Sequence, residues 1–128
     1  MIVLDTDVLV EVLRKRPAVV ARISELREDG HELATTSINE AEVLRGRQAS
    51  ADLAIAVKIL DGLVTVPFGP RAARRYGRLM HGLDRAGRPI PVADGLIAAA
   101  TLEAGAALLT GNVRHFDRVP GLDVIVAE

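Results

Sequence analysis

Hydrophobic residues occur along the chain in two alternating patterns. Short runs rich in apolar and β-branched residues, which predict strands, span residues 2–5, 32–36, 63–66, 106–110 and 122–126. Between these runs, apolar residues recur at the three- and four-residue spacing of helices, as they do in residues 8–14, 37–46, 50–61 and 93–104. This alternation favours an α/β fold in which a parallel sheet is covered by helices on both faces.

Prolines mark the start of two further predicted helices, since proline suits the first helical turn. One begins at Pro17 and ends before Asp29-Gly30, and its apolar face is predicted to contain Val20, Ile23 and Leu26. The other begins at Pro70 and ends before Gly87, and its periodic positions include Ala73, Tyr76 and Leu79.

A capping motif helps to separate two neighbouring glutamates. Ser37-Ile38-Asn39-Glu40 fits a capping box, which predicts a helix from Ser37 to about Gly46 and makes Glu40 the capping partner of Ser37. Glu42 has no capping role, so it remains available for chemistry.

The helix at 93–104 is almost entirely apolar, and we expect it to be buried on most sides. Gly111-Asn112 predicts a turn after the fourth strand. Because no stretch resembles a linker, residues 1–128 are expected to form one domain.

Composition narrows the possible functions. The chain is 49% hydrophobic and 26% charged with a net charge of −1, a balance typical of a folded, water-soluble domain. Three aromatic residues cannot provide an extended base-stacking platform, and the absence of cysteine excludes disulfides and thiolate zinc sites. No apolar run reaches about 18 residues. The acidic start does not resemble a signal peptide, so we expect a cytoplasmic protein without a membrane partner.

Polar residues suited to metal chemistry follow the ends of the predicted strands. Ligand sites of open α/β sheets lie beyond the carboxyl ends of the strands. Several acids gathered there would repel one another unless some bind protons or a cation lies among them. Oxygen ligands favour Mg²⁺ or Mn²⁺, which can activate water for phosphodiester hydrolysis. The residues are Asp5, Thr6, Asp7, Glu40, Glu42, Asp94, Thr110 and Asn112.

Most of these residues also have a purely structural interpretation. Asp5 and Asp94 suit helix N-caps, and Asp7 suits the first turn of a helix, where the helix dipole favours an acid. Asn112 suits a turn. The metal-site hypothesis therefore depends on the shared location of the acids and not on any single position.

Three motifs, in order along nearly the whole chain, resemble those of one family. They are LDTDVLVEVLR (4–14), TTSINEAEVLRG (35–46) and IPVADGLIAAATLEAGAALLTGNVRHFDRVPGLDVI (90–125). Asp5 ends the first strand, Glu42 lies four residues before Gly46, and Asp94 leads the third motif. In these features the sequence resembles a PIN-domain ribonuclease of the VapC toxin type.

The resemblance implies a PIN-like three-layer α/β/α fold with about five parallel strands in the order 3-2-1-4-5. It also implies a Mg²⁺- or Mn²⁺-dependent endoribonuclease that cleaves RNA, forms a homodimer and is neutralised in a hetero-oligomer by a VapB-type antitoxin. By the same resemblance Asp5, Glu42 and Asp94 are the catalytic residues. Metal would be held by Asp5 and Asp94, with Glu42, Asn112 and Asp7 as further candidates, and Thr6 and Thr110 would support the site. The apolar and arginine-lined helices at 8–26 and 50–61 are candidate antitoxin contacts.

Two departures concern the family's fourth acid. Asn112 stands where Thr-x-Asp would place an aspartate, and the residue before Phe116 is His115. Asp117 lies one position past Phe116. Asp7, where Asn or Ser is common in the family, could supply the missing charge. We do not assign catalysis to His115.

Arginine supplies 14 of the 16 basic side chains, and residues 71–88 carry six arginines against Asp84 alone. Those at 71, 74, 75 and 78 follow helical spacing and predict a stripe, which could be a solvated face or a phosphate-contacting surface. The candidate RNA contacts are Arg74, Arg75, Arg78 and Arg114.

Two alternatives to a ribonuclease stay open. Asp5-Thr6-Asp7 also fits the opening of a haloacid-dehalogenase-type phosphatase, but the downstream lysine of that class is missing because Lys15 and Lys58 are the only lysines. Receiver domains lack support for the same reason. A PIN-like module that has lost catalysis and only binds RNA or a partner is the other alternative.

Overall fold

The computed structural model describes residues 1–127. Twelve elements follow one another in the described chain. They are β1 (Ile2–Leu4), α1 (Thr6–Leu13), α2 (Pro17–Glu28), β2 (Leu33–Thr36), α3 (Ser37–Arg45), α4 (Ser50–Asp61), β3 (Val64–Val66), α5 (Pro70–Arg85), α6 (Val92–Glu103), β4 (Ala107–Thr110), α7 (Val113–Phe116) and β5 (Val124–Val126).

The five strands form one parallel sheet in the order β3-β2-β1-β4-β5, as the sequence predicts. β1 is central: Val3 lies between Ala34 of β2 and Leu108 of β4. Because all strands run the same way, their carboxyl ends meet at one edge. That edge receives Asp5 after β1 and Thr110 at the end of β4.

Helices cover both faces of the sheet and produce three layers. Ile2 and Leu4 point into a core shared with α1 to α4, whereas Val3 points into a second core shared with α5, α6 and α7. The alternation follows from the two-residue period of a strand. β1 is therefore buried on both faces, which explains why its sequence is continuously apolar.

The predicted element bounds agree with the structure to within two residues, and Ile23 and Leu26 of α2 are buried as predicted, but one predicted face residue is wrong in each of α2 and α5. In α2 the core side chain is Val19, at 1% exposure, whereas Val20 is 41% exposed. In α5 Ala72 and Leu83 are buried, Tyr76 and Leu79 are half-buried, and Ala73 faces solvent. Each correction replaces one position of the predicted face by its neighbour and leaves the other positions of that face in place.

The capping box of α3 also differs from the prediction. The N-cap is Thr36, whose Oγ1 accepts from the Asn39 backbone N–H, while the Asn39 side chain accepts from the Thr36 backbone N–H. Ser37 instead accepts a hydrogen bond from the backbone N–H of Phe68. Thr36 ends β2, so no connecting residue separates β2 from α3.

α6 is buried as predicted, with Ile97, Ala98, Ala99 and Ala100 nearly inaccessible. Gly95 allows α5 to approach closely, because a Cβ at that position would lie 2.5 Å from Sδ of Met80. The short helix α7 occupies the segment that the sequence predicts only as a turn. Within residues 1–127, no helix combines the length and the apolar character needed to cross a membrane.

Candidate active site at the carboxyl edge of the sheet

Asp5 lies at the centre of the carboxyl edge and is 5% exposed. It is the N-cap of α1, and its Oδ1 accepts from the backbone N–H of Thr6 at 2.8 Å. Oδ2 accepts from Oγ1 of Thr110 at 2.7 Å. The carboxylate thus caps α1 and at the same time lies at the edge where the predicted site residues meet.

Asn39 joins α3 to this carboxylate and is fully buried. Its Nδ2 donates to Oδ1 of Asp5 at 3.1 Å and to Oγ1 of Thr6 at 3.0 Å, while its Oδ1 accepts from Oγ1 of Thr36 at 2.7 Å. From the sequence, Asn39 is expected only as an internal member of a capping motif. Its position one turn before Val43, on the buried face of α3, is the only sequence signal for this role.

Glu42 reaches the site through a threonine. Oγ1 of Thr6 donates to Oε1 of Glu42 at 2.6 Å, and the Glu42 side chain is otherwise exposed. Glu40 points elsewhere, because its Oε1 accepts from Oγ1 of Thr65 on β3 at 2.6 Å. The structure therefore separates the two glutamates as predicted, although Glu40 does not cap α3.

Asp94 lies in the first turn of α6 and contacts α7. Its Oδ2 is 2.7 Å from Nδ1 of His115, and Nδ1 is also 2.9 Å from Nδ2 of Asn112. Nδ1 donates to the Asp94 carboxylate in one tautomer and accepts from the Asn112 amide in the other, because one ring nitrogen cannot do both. The N-cap of α6 is Pro91, so Asp94 does not have the capping role considered for it.

Asp7 and Thr110 fix the loop that follows β4. Oδ2 of Asp7 accepts from the backbone N–H of Gly111 at 2.9 Å, and Oγ1 of Thr110 accepts from the backbone N–H of Asn112 at 2.9 Å. A Cβ at position 111 would lie 2.7 Å from Oδ2 of Asp7, so a larger residue there would displace the Asp7 carboxylate.

The electrostatic character of the site is clearest at Asp5. Burial, followed by the negative charges of Asp7 and Asp94, raises the pKa of the Asp5 carboxyl from 3.8 to about 6. The hydrogen bonds from Thr110 and Thr6 act in the opposite direction but do not cancel the increase. The carboxyl edge is thus a place where negative charge is crowded and partly desolvated.

Comparison with known proteins places the chain in a family. Its sequence matches the family described as PIN domain over residues 2–122. Ribonuclease VapC19 of Mycobacterium tuberculosis is 35% identical over 122 residues, covering 95% of this chain and 97% of that protein. The chain belongs to the PIN domain family.

Solved structures resemble this PIN domain over nearly its whole length. VapBC2 from Rickettsia felis, bound to a DNA fragment from its promoter, aligns with a TM-score of 0.87 and 28% identity, covering 98% of each chain. VapBC-1 from nontypeable Haemophilus influenzae aligns with a TM-score of 0.86 and 26% identity, covering 99% of this chain and 98% of that one. The resemblance stated from the three motifs is therefore confirmed, and so is the α/β fold.

The donor chemistry of this PIN domain fits a hard divalent cation. The edge presents carboxylate, hydroxyl and amide oxygens from four segments, which are the ligands that Mg²⁺ and Mn²⁺ prefer. A cation would also relieve the charge crowding that raises the pKa of Asp5. In the part of the chain that the structure describes, no three His, Asp or Glu side chains converge tightly enough to form a complete site. Water would have to complete the coordination of an ion held there.

The arginines predicted to contact RNA fall into two places. Arg114 is exposed on α7, next to His115. Arg74, Arg75 and Arg78 lie on α5, where Nε of Arg75 donates to Oε2 of Glu103 at 2.9 Å. Asp117 caps the carboxyl end of α7 and is exposed.

Proposed function

We propose that this PIN domain is a Mg²⁺- or Mn²⁺-dependent endoribonuclease and the toxin of a toxin–antitoxin pair. The observation that carries the proposal is the buried Asp5 carboxylate, whose pKa is raised beside Asp7 and Asp94 at the carboxyl edge of a PIN fold. Similarity to a protein named ribonuclease and to structures of VapBC proteins supports the assignment.

In this proposal Asp5 and Asp94 hold the cation, and Glu42 is the third catalytic carboxylate. Asp7 and Asn112 are the remaining oxygen ligands in reach of the same edge. When bound, the cation activates a water and stabilises the charge that develops on the scissile phosphate.

The residues around Asp5 position its carboxylate. Thr110, Asn39 and the backbone N–H of Thr6 donate to its two oxygens, which fixes the plane of the group. Thr6 at the same time holds Glu42 by a hydrogen bond. Because these donors belong to β4, α3 and α1, the site forms only when the sheet and these two helices are packed as in the folded protein.

The partners follow from the same proposal. Arg114 contacts a phosphate of the RNA near the scissile bond, since it is exposed and directly precedes His115 in α7. A VapB-type antitoxin neutralises the enzyme, and the toxin acts in the cytoplasm as a homodimer or within a toxin–antitoxin hetero-oligomer. Family membership argues against the phosphatase alternative.

The decisive experiment is cleavage of total cellular RNA by the wild type and by Asp5→Asn, with Mg²⁺, with Mn²⁺ and with a chelator. Cleavage that requires the metal and is lost in Asp5→Asn is expected, and mapping of the cut ends gives the sequence that is cleaved. Equal cleavage by the two proteins would mean that a contaminating nuclease is responsible. If neither cleaves RNA although Mg²⁺ raises the melting temperature of the wild type, the non-catalytic PIN-like module is the better assignment.

A further inference from the structure

Four arginines form a compact surface on α5 that the proposed catalytic chemistry does not use. We call it the α5 arginine face, and its members are Arg71, Arg74, Arg75 and Arg78. Together with Glu103 of α6 they line a depression of about 200 Å³, and within residues 1–127 no other residue contributes to its lining. The sequence contains no acid from Gly62 to Leu83, so the local charge is strongly positive although the whole chain carries −1.

Glu103 orders two of the four guanidinium groups. Nε of Arg71 lies 2.8 Å from Oε1 and Nε of Arg75 lies 2.9 Å from Oε2, so each carboxylate oxygen binds one arginine. The hydrogen bond from Arg75 and the charge of Arg71 hold the pKa of Glu103 below its usual range. A guanidinium bound through Nε keeps its four Nη hydrogens for another acceptor. Glu103 therefore restrains the two guanidinium groups through Nε while their Nη donors stay free, which lowers the entropy cost of binding an anion.

The other two arginines add charge without a carboxylate partner. In the described residues Arg74 and Arg78 form no ion pair, in contrast to Arg14, Arg16 and Arg22, which lie near Glu11 or Glu25. Residues four apart lie on the same side of a helix, about 5–6 Å from one another. The face thus presents four positive charges and one negative charge, with planar groups suited to phosphate oxygens.

The face is connected rigidly to the proposed active site. Glu103 ends α6 and Asp94 lies in its first turn, so nine residues of helix, or about 14 Å, separate them. α5 packs along α6, and Gly95 permits their close contact. The carboxyl edge repels a polyanion, so a polyanion that binds there needs positive charge elsewhere on the protein surface. The α5 arginine face supplies this charge at a fixed distance from the edge.

We propose that the α5 arginine face binds the phosphate backbone of the substrate RNA away from the scissile bond, without reading its sequence. This rests on the proposed ribonuclease function. An RNA is favoured over an acidic protein segment because RNA is the polyanion that must approach the negatively charged carboxyl edge, and because the depression contains no apolar side chain. Binding by charge alone also agrees with a chain that has only three aromatic residues for stacking.

The test compares Arg74→Ala/Arg78→Ala with Arg22→Ala/Arg27→Ala, which removes the same charge from α2. Affinity for a labelled RNA stem–loop is measured in a chelator over a range of salt concentrations, and cleavage is measured with Mg²⁺. For the α5 variant we expect affinity to fall about tenfold and the slope of log K against log salt to become shallower by about 1.4, as for two lost phosphate contacts. kcat/KM should fall about as much as affinity while kcat is retained. Arg74→Lys/Arg78→Lys should keep the salt slope.

An unchanged affinity and slope in the α5 variant, or an equal loss in the α2 variant, would overturn the assignment. Unchanged RNA affinity together with lost binding of a polyglutamate peptide would assign the face to an acidic protein segment instead. A wild type that binds the stem–loop but cleaves no RNA would contradict the proposed function and leave the binding comparison intact.

Discussion

Nδ1 of His115 lies 2.7 Å from Oδ2 of Asp94. His115 stands near the position where the family has its fourth acid, and here it contacts Asp94, the acid that leads the third motif. The two residues come from different elements, the first turn of α6 and the short helix α7. The imidazole fixes the orientation of one of the proposed metal-binding carboxylates and is a positioning residue, not a catalytic one.

Removal of the ring should therefore lower both metal affinity and cleavage. We expect His115→Ala to lose about tenfold in each, the usual effect of a residue that orients a ligand, and His115→Asn to recover part of the loss because its amide can donate to Asp94. Calorimetric titration with Mn²⁺ measures the first quantity, and single-turnover cleavage measures the second. His81→Ala, an exposed histidine on α5, is the matched control and should behave as wild type.

The two glutamates of α3 provide an internal comparison. Glu42→Gln should reduce cleavage by a factor of about 100 or more, since the carboxylate held by Thr6 is replaced by a neutral amide. Glu40→Gln should leave cleavage nearly unchanged, because Glu40 contacts Thr65 on the far strand β3. Initial rates on one RNA substrate decide the matter, and similar losses in both variants would contradict the assignment of Glu42.

Asp7 is expected to act by charge. Asp7→Asn can keep the hydrogen bond from Gly111, since Oδ1 of the amide accepts, but it removes one negative charge from the edge. Metal affinity should fall several-fold with little change in the free energy of unfolding, and both are measured in the same titration series. Unaltered metal affinity and cleavage would refute the idea that Asp7 compensates for the neutral Asn112.

Asn39 is expected to matter for stability as well as for the site. Asn39→Ala removes donors to Asp5 and Thr6 and an acceptor for Thr36, all of them buried or partly buried. The expected loss in the free energy of unfolding is about 2–3 kcal/mol, because the partners remain buried without hydrogen bonds. Denaturant unfolding in a chelator measures it. Glu40→Ala, one residue along the same helix, should cost much less.

The raised pKa of Asp5 predicts a pH dependence of the metal-free protein. Since the folded pKa is about 6 and the ordinary value is 3.8, the native state binds the proton more tightly than the unfolded chain does. The contribution to stability is complete below about pH 4 and is lost as pH rises through 6. The shift corresponds to about 3 kcal/mol at most.

The comparison with Asp5→Asn isolates this effect, because the variant cannot titrate there. In a chelator the wild type should lose stability relative to the variant between pH 4 and pH 7, as measured by urea unfolding. Saturating Mg²⁺ should remove most of the difference. Parallel stability curves for the two proteins would show that Asp5 is ionised throughout this range.

The sequence predicts the parallel sheet because the hydrophobic pattern alternates between strands and helices. It predicts that Asp5 and Thr110 lie close together because each stands at the carboxyl end of a parallel strand. The strands are rich in apolar and β-branched residues, and the ends of parallel strands meet whatever the detailed packing. The order of the strands, in contrast, came from the resemblance to a family, since hydrophobic periodicity does not specify which strands are neighbours.

The sequence does not predict which of several adjacent residues of similar type caps a helix or faces the core. Thr35, Thr36 and Ser37 are all capping residues by type, and only the point at which β2 ends selects Thr36 and thereby directs Asn39 to Asp5. Two adjacent valines in α2 likewise leave its buried face ambiguous, and packing selects Val19. The contact of His115 with Asp94 depends on α7, which is too short to be recognised from periodicity.

A single residue, Asp5, separates β1 from α1, and none separates β2 from α3. An inserted residue at either junction would turn the following helix by about 100° and carry Asp7 or Asn39 away from its present partner. Each junction should therefore tolerate substitution better than insertion. The connection at 46–49 and the exposed residues 86–88 lie outside the proposed site and are where additional segments, tags or inserted modules should be accommodated.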